Sequence, residues 1–341
     1  MRLALHLNGL QSPPSFRKLS CPFSKSAGAH ILRASKKVFV EYLPDPRTAM
    51  ARTILITGCS DGGLGAALAI QFHQHGDRVL ATARNPAKMA TLKKLGIETL
   101  TLDVLSDDSI RACVKEVSAL TGGSLDVLIN NAGAGYSMPI LDASMDEIER
   151  LYRLNVLSVL RVTQLFFPLV RAAAPGSTIV NQTSVASTMG LPWQGAYNSS
   201  KAAIANFSET MRLEFQPFGI KVIDLKTGAV KTPFFENLAQ RYTAVLPEDS
   251  VYMPIKDKVE KVMNGDFGGM EPQDVNKWAK NVVSDLSKRH PSAHIWRGTS
   301  ATLAWIGTFL PVGTFDSMAR KITGTDILEK KLKEEGSRKA K

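Results

Sequence analysis

A tyrosine and a lysine four residues apart, Tyr197 and Lys201, form the pair best suited to proton transfer in the stretch SVASTMGLPWQGAYNSSK (residues 184–201). On a helix these two side chains lie one turn apart on the same face. The unperturbed pKa of a phenol is about 10, and a nearby ammonium lowers it towards the working range. Ser184 follows a predicted strand and can direct its hydroxyl at the same substrate oxygen. The three side chains therefore predict a general acid/base site, with Tyr197 as the proton donor.

A second motif, TGCSDGGLG at residues 57–65, lies between an apolar run and a helical pattern. Backbone N–H groups in such a turn can hold a pyrophosphate, and the dipole of the following helix adds attraction. The alternative is a glycine-rich turn that only allows a strand and a helix to pack closely. A glycine cluster alone does not distinguish these two interpretations.

Short apolar runs alternate with helical patterns from residue 52 onwards. The amphipathic segments Leu64–His75 and Asp107–Leu120 both end at glycines, as helices often do. The predicted strands are Thr53–Thr57, Arg78–Ala83, Glu98–Asp103, Val127–Asn130, Thr178–Gln182 and Lys221–Leu225. This order predicts an α/β fold, a single Rossmann-type doubly wound parallel sheet with helices on both faces. Ligands of such sheets bind beyond the carboxyl ends of the strands, where the glycine turn is expected to lie.

The combination of the glycine turn with Ser184, Tyr197 and Lys201 resembles the short-chain dehydrogenase/reductase family over roughly residues 51–325. The resemblance implies reduction of a carbonyl by a nicotinamide cofactor. Tyr197 would protonate the alkoxide and Ser184 would hydrogen-bond the substrate oxygen. Lys201 would tune Tyr197 and hold the nicotinamide ribose. The protein then supplies position and polarisation for hydride chemistry that belongs to the cofactor.

Three further landmarks follow from the resemblance. In NNAG (residues 130–133), Asn131 is expected to steady the sheet and contact the adenine ribose. Asp103, at the end of TLD, matches the family's acidic residue at the adenine. Asn155, in RLNVLSV, matches the asparagine that holds a water between the catalytic lysine and solvent, and its alternative is a helix-surface amide.

The segment KTGAVKTPF after the sixth predicted strand matches the family pattern Pro-Gly-x-Val-x-Thr. Thr227 stands at the proline position, a departure expected to loosen the turn. Val230 and Thr232 are retained, and the resemblance places them at the nicotinamide carboxamide and the phosphates.

The glycine turn has one residue more than the family pattern, which spaces Thr-Gly and Gly-x-Gly by three residues. Keeping Gly63 and Gly65 at the start of the helix leaves the extra residue within a wider turn, with Gly58 and Ser60 also in contact with the cofactor. Asp61 is then an awkward neighbour for phosphate. Its carboxylate is expected to point to solvent or to cap the helix that follows.

The end of the second predicted strand, VLATARN, indicates the cofactor. A site that prefers NAD places a carboxylate there for the ribose 2′-hydroxyl, which would repel a 2′-phosphate. This sequence offers Arg84 instead, a charge-assisted partner for phosphate. NADPH is therefore the expected cofactor, with NADP+ as its oxidised form, and an ordinary surface charge is the alternative reading of Arg84.

The substrate is expected to be a hydrophobic small-molecule ketone. TGCSDGGLG, AYNSSKAAI and IWRGTSATLAWIGTFLP look like the fungal group of NADPH-dependent 1-acyldihydroxyacetone-phosphate reductases, whose members associate with endoplasmic reticulum and lipid droplets. Similar fungal reductases act on polyketide or terpenoid ketones of secondary metabolism. A lipid phosphate would need cations in the pocket, for which Lys231, Arg241 and Lys256 are candidates. A non-catalytic NADPH-binding protein and a membrane-surface protein are less favoured, because all three catalytic residues are intact.

The net charge of +11 comes mostly from the two ends of the 341-residue chain. The middle is about neutral and carries no basic, aromatic-rich motif, which argues against nucleic-acid binding. Three cysteines, Cys21, Cys59 and Cys113, fit neither a disulfide framework nor a metal site and suggest a reducing compartment. The oligomeric state is left open.

Four segments flank or interrupt the predicted catalytic domain. Residues 1–50 form a basic extension whose first forty residues lack acids, as in a mitochondrial transit peptide, a disordered tail or a mis-assigned start. Residues 234–275 break the βα alternation and predict a substrate lid, and a purely decorative surface insertion is the alternative. The apolar segment 295–315 is expected to be a buried or membrane-interfacial element, and 326–341 a charged tail. The expected location is the cytosolic face of endoplasmic reticulum or lipid droplet, or the cytosol, and membrane contact would run through residues 295–341.

Overall fold

Seven parallel strands form one sheet in the computed structural model, which describes residues 51–239 and 244–339. The strands are β1 (Thr53–Thr57), β2 (Arg78–Ala83), β3 (Glu98–Thr101), β4 (Val127–Asn130), β5 (Thr178–Gln182), β6 (Lys221–Thr227) and β7 (His294–Arg297). Their order across the sheet is β3-β2-β1-β4-β5-β6-β7. The order reverses between β1 and β4, which is where open α/β sheets bind ligands. The predicted Rossmann-type fold is confirmed.

Four of the six predicted strands have the bounds expected from the sequence, and two differ at one end. β3 ends at Thr101, because the Asp103 carboxylate accepts a hydrogen bond from Leu105 N (3.0 Å) and turns the chain. β6 continues to Thr227, where it still pairs with β7. β7 was missed because its four residues, HIWR, are too short to show an alternating pattern.

The helices within the described residues connect and cover these strands. They are α1 (Leu64–Gln74), α2 (Ala90–Lys94), α3 (Asp107–Thr121), α4 (Met145–Tyr152), α5 (Ser158–Ala172), α6 (Gly195–Phe215), α7 (Phe234–Ala239), α8 (Lys256–Met263), α9 (Val275–Leu286), α10 (Ala301–Gly307), α11 (Asp316–Thr323) and α12 (Thr325–Lys339). α1 and α9 pack over one face of the sheet around Phe72 and Trp278, both fully buried. α3, α5 and α6 contribute to the core on the other face around Phe166.

A π-helical turn, residues 153–157, joins α4 to α5. The whole run from Met145 to Ala172 is long and apolar enough to cross a membrane, but half of its apolar window is buried. Val162, Phe166 and Val170 belong to the core beneath the sheet. In this structure the run is therefore a core element, as such helices of soluble domains often are.

Residues of the predicted lid (234–275) and of the C-terminal helices share a third apolar cluster. It includes Trp193, Leu246, Val259 and Met263, and Leu328 of α12 packs against it. Trp193 Nε1 donates to the carbonyl oxygen of Thr323 (3.1 Å), at the end of α11. The C-terminal helices thus hold the lid and the loop before α6 in place.

The apolar segment 295–315 is partly buried and partly exposed. Ile295 is buried in β7, and α10 buries Ala301 and Ala304 while its larger side chains face outwards. Most of the predicted charged tail belongs to α12. The predictions made for residues 1–50, including Cys21, lie outside the described residues.

Candidate active site

Ser184, Tyr197 and Lys201 converge at the carboxyl end of β5. Ser184 is the second residue after β5, and a hydrogen bond joins its hydroxyl to the Tyr197 phenol. Lys201 Nζ donates to the carbonyl oxygen of Gln182 (2.9 Å) and lies 5.9 Å from the centroid of the Tyr197 ring. Ala186 N donates to Ser184 Oγ (3.1 Å), which fixes the serine rotamer. The arrangement is that of an acid/base pair with a hydroxyl donor beside it.

The pKa of Tyr197 differs from the sequence prediction. Burial raises it, and the hydrogen bond from Ser184 acts in the opposite direction. The expected lowering by Lys201 was wrong for this state of the protein, because its ammonium is directed at the Gln182 carbonyl. Burial also lowers the pKa of Lys201 to about 8, against the effect of Asp224. Tyr197 is consequently a neutral phenol at neutral pH, the form that donates a proton.

Asn155 lies in the π-helical turn, a distortion often found at functional sites. Its amide exchanges two hydrogen bonds with the backbone of Ala134, both 2.9 Å, and also donates to Ser200 Oγ (3.1 Å). A Cβ on Gly133 would lie 3.2 Å from Asn155 Oδ1 and 3.5 Å from Lys201 Nζ. Asn155 is therefore a buried amide next to the lysine rather than a helix-surface amide. Its predicted role in holding water stays a prediction.

The glycine turn leaves the amino end of α1 open to an anion. Gly63 is the N-cap residue and has no side chain to cap the helix, and the first turn contains no acid. A Cβ on Gly65 would lie 2.6 Å from both Asn131 Nδ2 and the Gly58 carbonyl oxygen, so only glycine fits there. Asn131 Nδ2 donates to the carbonyl oxygens of Thr57 (2.8 Å) and Gly58 (3.1 Å). Asn131 thus holds the turn in place, and its ribose contact stays a prediction.

The extra residue of the turn is accommodated by contacts with the segment after β2. Asp61 N donates to the Lys88 carbonyl oxygen (2.7 Å), and the Asp61 carboxylate accepts from Thr91 N (3.2 Å). Asp61 is exposed as predicted, but it caps α2 and not α1. Gly62 adopts a φ of +79°, which favours glycine, and Gly63 N donates to the Ser60 carbonyl oxygen (3.0 Å). The carboxylate is thereby bonded away from the helix end where phosphate would bind.

Arg84 is the first residue after β2, and its side chain is exposed. Among the residues that the structure describes it makes no hydrogen bond or ion pair. Asp103 is half-buried, and its backbone N–H donates a hydrogen bond to Ser109 Oγ (2.9 Å). An open helix amino end, a tight glycine turn and an unpaired guanidinium at the end of β2 together fit a dinucleotide with a phosphorylated ribose.

Thr227, at the family's proline position, does not loosen the chain as expected. Its hydroxyl accepts a hydrogen bond from Gln182 Nε2 (2.6 Å), and the backbone oxygen of Gln182 accepts from Lys201. Thr227 therefore supports the residue that holds the catalytic lysine. Sequence reasoning missed Gln182, because a strand-end glutamine carries no local signal of this pairing.

Gly228 is the first residue after β6, where the chain stays close to the segment that follows β7, and a Cβ there would lie 2.0 Å from the Thr299 carbonyl oxygen. Ala229 forms an isolated bridge with Thr299, and Val230 forms one with Gln273. Both Val230 and Thr232 are half-buried at the carboxyl end of the sheet. This position agrees with their expected place near the nicotinamide, which stays a prediction.

Helix α7, at the start of the predicted lid, reaches Tyr197. The Phe234 ring packs edge-on against the Tyr197 ring, with centroids 6.0 Å apart, and a row of aromatic contacts continues through Phe235 to Phe267. A Cβ on Gly135 would lie 2.8 Å from the Phe234 ring, so the glycine permits this approach. The wall over the site is therefore aromatic, a feature that depends on the tertiary fold and that the sequence did not reveal.

The three cations proposed for a substrate phosphate have different surroundings. The Lys231 side chain is exposed. Lys256 lies 3.9 Å from Glu260 on the same helix. Arg241 lies outside the described residues.

Comparisons with known proteins agree with this geometry. The family model described as short chain dehydrogenase matches residues 52–243. The chain belongs to the short-chain dehydrogenase/reductase family. Short-chain dehydrogenase/reductase GME11361 of Pestalotiopsis microspora is 46% identical over 282 residues, which cover 83% of this chain and 97% of that protein. The NADPH-dependent 1-acyldihydroxyacetone phosphate reductase of Schizosaccharomyces pombe is 39% identical over 280 residues, 79% of this chain and 93% of that protein.

A solved short-chain dehydrogenase from Streptomyces avermitilis has the same fold. It is 26% identical, with a TM-score of 0.66, and the match covers 83% of this chain and 99% of that one. Family membership makes this short-chain dehydrogenase/reductase a nicotinamide-dependent oxidoreductase.

The site residues have distinct tasks in that chemistry. A bound nicotinamide supplies or accepts the hydride. We expect Tyr197 to hold the proton that the substrate oxygen takes up in reduction, and Ser184 to orient and polarise that oxygen. Lys201, held by the carbonyl oxygen of Gln182, lies beside the phenol and is expected to hold the nicotinamide ribose.

Proposed function

We propose that this short-chain dehydrogenase/reductase is an NADPH-dependent reductase of a lipid-like ketone such as 1-acyldihydroxyacetone phosphate. The observation that carries the reduction is the buried hydrogen bond between Ser184 and a neutral Tyr197, with Lys201 beside them. A neutral phenol is ready to give its proton to a developing alkoxide. The aromatic wall formed by Phe234 suits an apolar substrate body.

The preference for NADPH is argued from charge at the end of β2. Arg84 is free to pair with a 2′-phosphate, and an arginine can do so bidentately. The strand end carries no carboxylate that would repel the phosphate. The S. pombe relative is named as an NADPH-dependent enzyme. NADPH as the working cofactor also supports the reductive direction.

A polyketide or terpenoid ketone of fungal secondary metabolism is the second candidate. It is favoured by the surroundings of the lid, because Lys256 has a carboxylate partner on its own helix while the groups against Tyr197 are apolar or catalytic. A polycyclic ketone needs no phosphate partner and can pack against the Phe234 ring.

The deciding assay follows NADPH oxidation with a panel of 1-acyldihydroxyacetone phosphates and polycyclic ketones. We expect turnover of the acyl phosphates, faster with NADPH than with NADH, and the reverse cofactor preference in Arg84→Asp because a carboxylate repels the 2′-phosphate. Turnover of polycyclic ketones alone favours the second candidate. No oxidation with any ketone contradicts both.

We also propose that the protein rests on a lipid surface through the segment 298–315, which contains no charged residue. The burial pattern of α10 is the reverse of that expected for a core helix. It buries two alanines and exposes the larger apolar side chains of Leu303, Trp305 and Ile306. Phe309 is 72% exposed, and its ring lies 5.3 Å from that of Trp305. Exposed apolar side chains of this kind suit a membrane interface. The proposed location is the cytosolic face of endoplasmic reticulum or a lipid droplet.

Flotation with vesicles of phosphatidylcholine and phosphatidylserine tests this surface. We expect the wild-type protein to float with the vesicles and Trp305→Ser/Phe309→Ser to remain in the soluble fraction, with unchanged turnover of a water-soluble ketone. Leu213→Ser is the matched control, because Leu213 on α6 is similarly exposed, at 59%. Vesicle binding that survives in the double variant contradicts the proposal, as does a wild-type protein that dimerises through this segment and ignores vesicles.

A further inference from the structure

A lysine and an aspartate form a buried ion pair on β6, next to the catalytic centre. Asp224 and Lys226 alternate with Ile223 and Leu225, which pack in the core on the α1 side of the sheet. The charged pair therefore takes the opposite face, where α6 packs. The Lys226 ammonium lies 2.5 Å from Asp224 Oδ2, and the two side chains are 6% and 1% exposed.

This pair has no evident value as a stabilising contact. Removing two charges from water costs several kcal/mol per ion, and apolar residues of similar volume often stabilise a core as well or better. β6 is already held in the sheet by its pairing with β5 on one edge and β7 on the other, so the ion pair is not needed to hold the strand. The buried charged pair therefore needs another explanation.

The two charges hold both ends of the short segment that carries Ser184. On one side, the Thr183 hydroxyl donates to Asp224 Oδ1. On the other, Lys226 Nζ donates to Ser187 Oγ (3.1 Å), and the Ser187 hydroxyl donates to the carbonyl oxygen of Ser184 (2.6 Å). Hydrogen bonds to Thr183 and Ser187, on either side of Ser184 in the sequence, thus fix the position of Ser184.

The surroundings keep this pair in place. Lys226 Nζ lies 5.4 Å from the centroid of the Trp296 ring on β7, a cation–π contact. His294 on β7 lies 3.8 Å from Asp224 and 2.9 Å from Glu209 on α6. The negative charge of Asp224 raises the pKa of Lys201 and so opposes the lowering caused by burial.

We propose that the Asp224–Lys226 pair is a positioning device that clamps the Thr183–Ser187 segment. Neither side chain touches the reacting atoms; both act through Ser184. The proposal deepens the proposed reduction and rests on it for its kinetic readout.

Two variants separate positioning from general stability. In Lys226→Met the Thr183–Ser187 segment loses the hydrogen bond from Lys226 to Ser187. We expect kcat to fall roughly 10- to 100-fold with little change in KM, because a small displacement of Ser184 reduces the stabilisation of the transition state. Asp224 is then a buried carboxylate without its partner, so this variant also loses stability. In Asp224→Asn/Lys226→Met no unpaired charge remains, so stability recovers, whereas kcat stays low because Ser187 still lacks the Lys226 anchor.

Lys221→Met is the matched control, since Lys221 lies on the same strand and its ammonium bonds the carbonyl oxygen of Arg289 at the far end. It should leave kcat and KM unchanged. A kcat that recovers together with stability in Asp224→Asn/Lys226→Met overturns the proposal, because a merely structural role would follow stability.

Hydrogen exchange gives a readout without turnover. The Ser187 amide donates to the Ser184 carbonyl oxygen (3.0 Å). We expect the amides of residues 184–188 to exchange faster in Lys226→Met than in the wild type and Lys221→Met. Unchanged exchange overturns the clamp even if every ketone fails as a substrate, whereas that failure by itself contradicts only the proposed function.

Discussion

Tyr197→Phe is expected to lose ketone reduction by about 10²- to 10⁴-fold in kcat, the usual contribution of a positioned general acid. The substitution removes the hydroxyl that bonds Ser184 and would protonate the substrate oxygen. The remaining ring can keep its edge-on contact with Phe234 and its place beside Lys201. The folded structure and cofactor affinity should therefore change little.

Steady-state NADPH oxidation with the best ketone of the panel measures this loss, and cofactor fluorescence measures binding. Tyr252→Phe is the matched control, because the Tyr252 ring packs against Trp193 in the third apolar cluster and not beside Ser184 and Lys201. Equal kcat in wild type and Tyr197→Phe would rule out the phenol as proton donor. A parallel loss in Tyr252→Phe would point to the lid.

Local pattern was sufficient to place six of the seven strands and the Tyr197–Lys201 pair. Buried parallel strands are runs of apolar residues bounded by turn signals, and both β1 and β5 could be read from the sequence alone. The four-residue spacing of Tyr197 and Lys201 needed only a helix to become a shared face, and α6 supplies it. Arg84 was found in the same way, because the residue at the end of β2 follows directly from the strand prediction.

Features that depend on burial or on contacts between distant elements were not predictable. The spacing of Tyr197 and Lys201 gave their proximity but not the desolvation that raises the tyrosine pKa. Phe234 meets Tyr197 only because a lid helix folds back over Gly135. The contact of Gln182 with Thr227 likewise joins two strands that are distant in sequence and adjacent in the sheet.

Gly228→Ala is the substitution with the largest expected effect outside the catalytic residues. An added Cβ would meet the Thr299 carbonyl oxygen at 2.0 Å and the backbone of Gly298 at 3.2 Å, so no flexible side chain can move aside. The segments that follow β6 and β7 must move apart, and the Ala229–Thr299 bridge between them must shift as well. We expect a loss of about 3 kcal/mol in the free energy of unfolding, at the upper end for overpacking.

Thermal unfolding followed by circular dichroism, with and without NADPH, measures that loss. Because the same turn carries Val230 towards the expected nicotinamide position, we also expect NADPH to raise the melting temperature of the variant less than that of the wild type. Gly336→Ala on α12 is the matched control. Its Cβ meets nothing within 4 Å, and alanine favours a helix over glycine by roughly 1 kcal/mol. If Gly228→Ala melts at the wild-type temperature, the close approach of β6 and β7 at this turn is not a constraint on the fold, and the retained glycine of this motif needs another explanation.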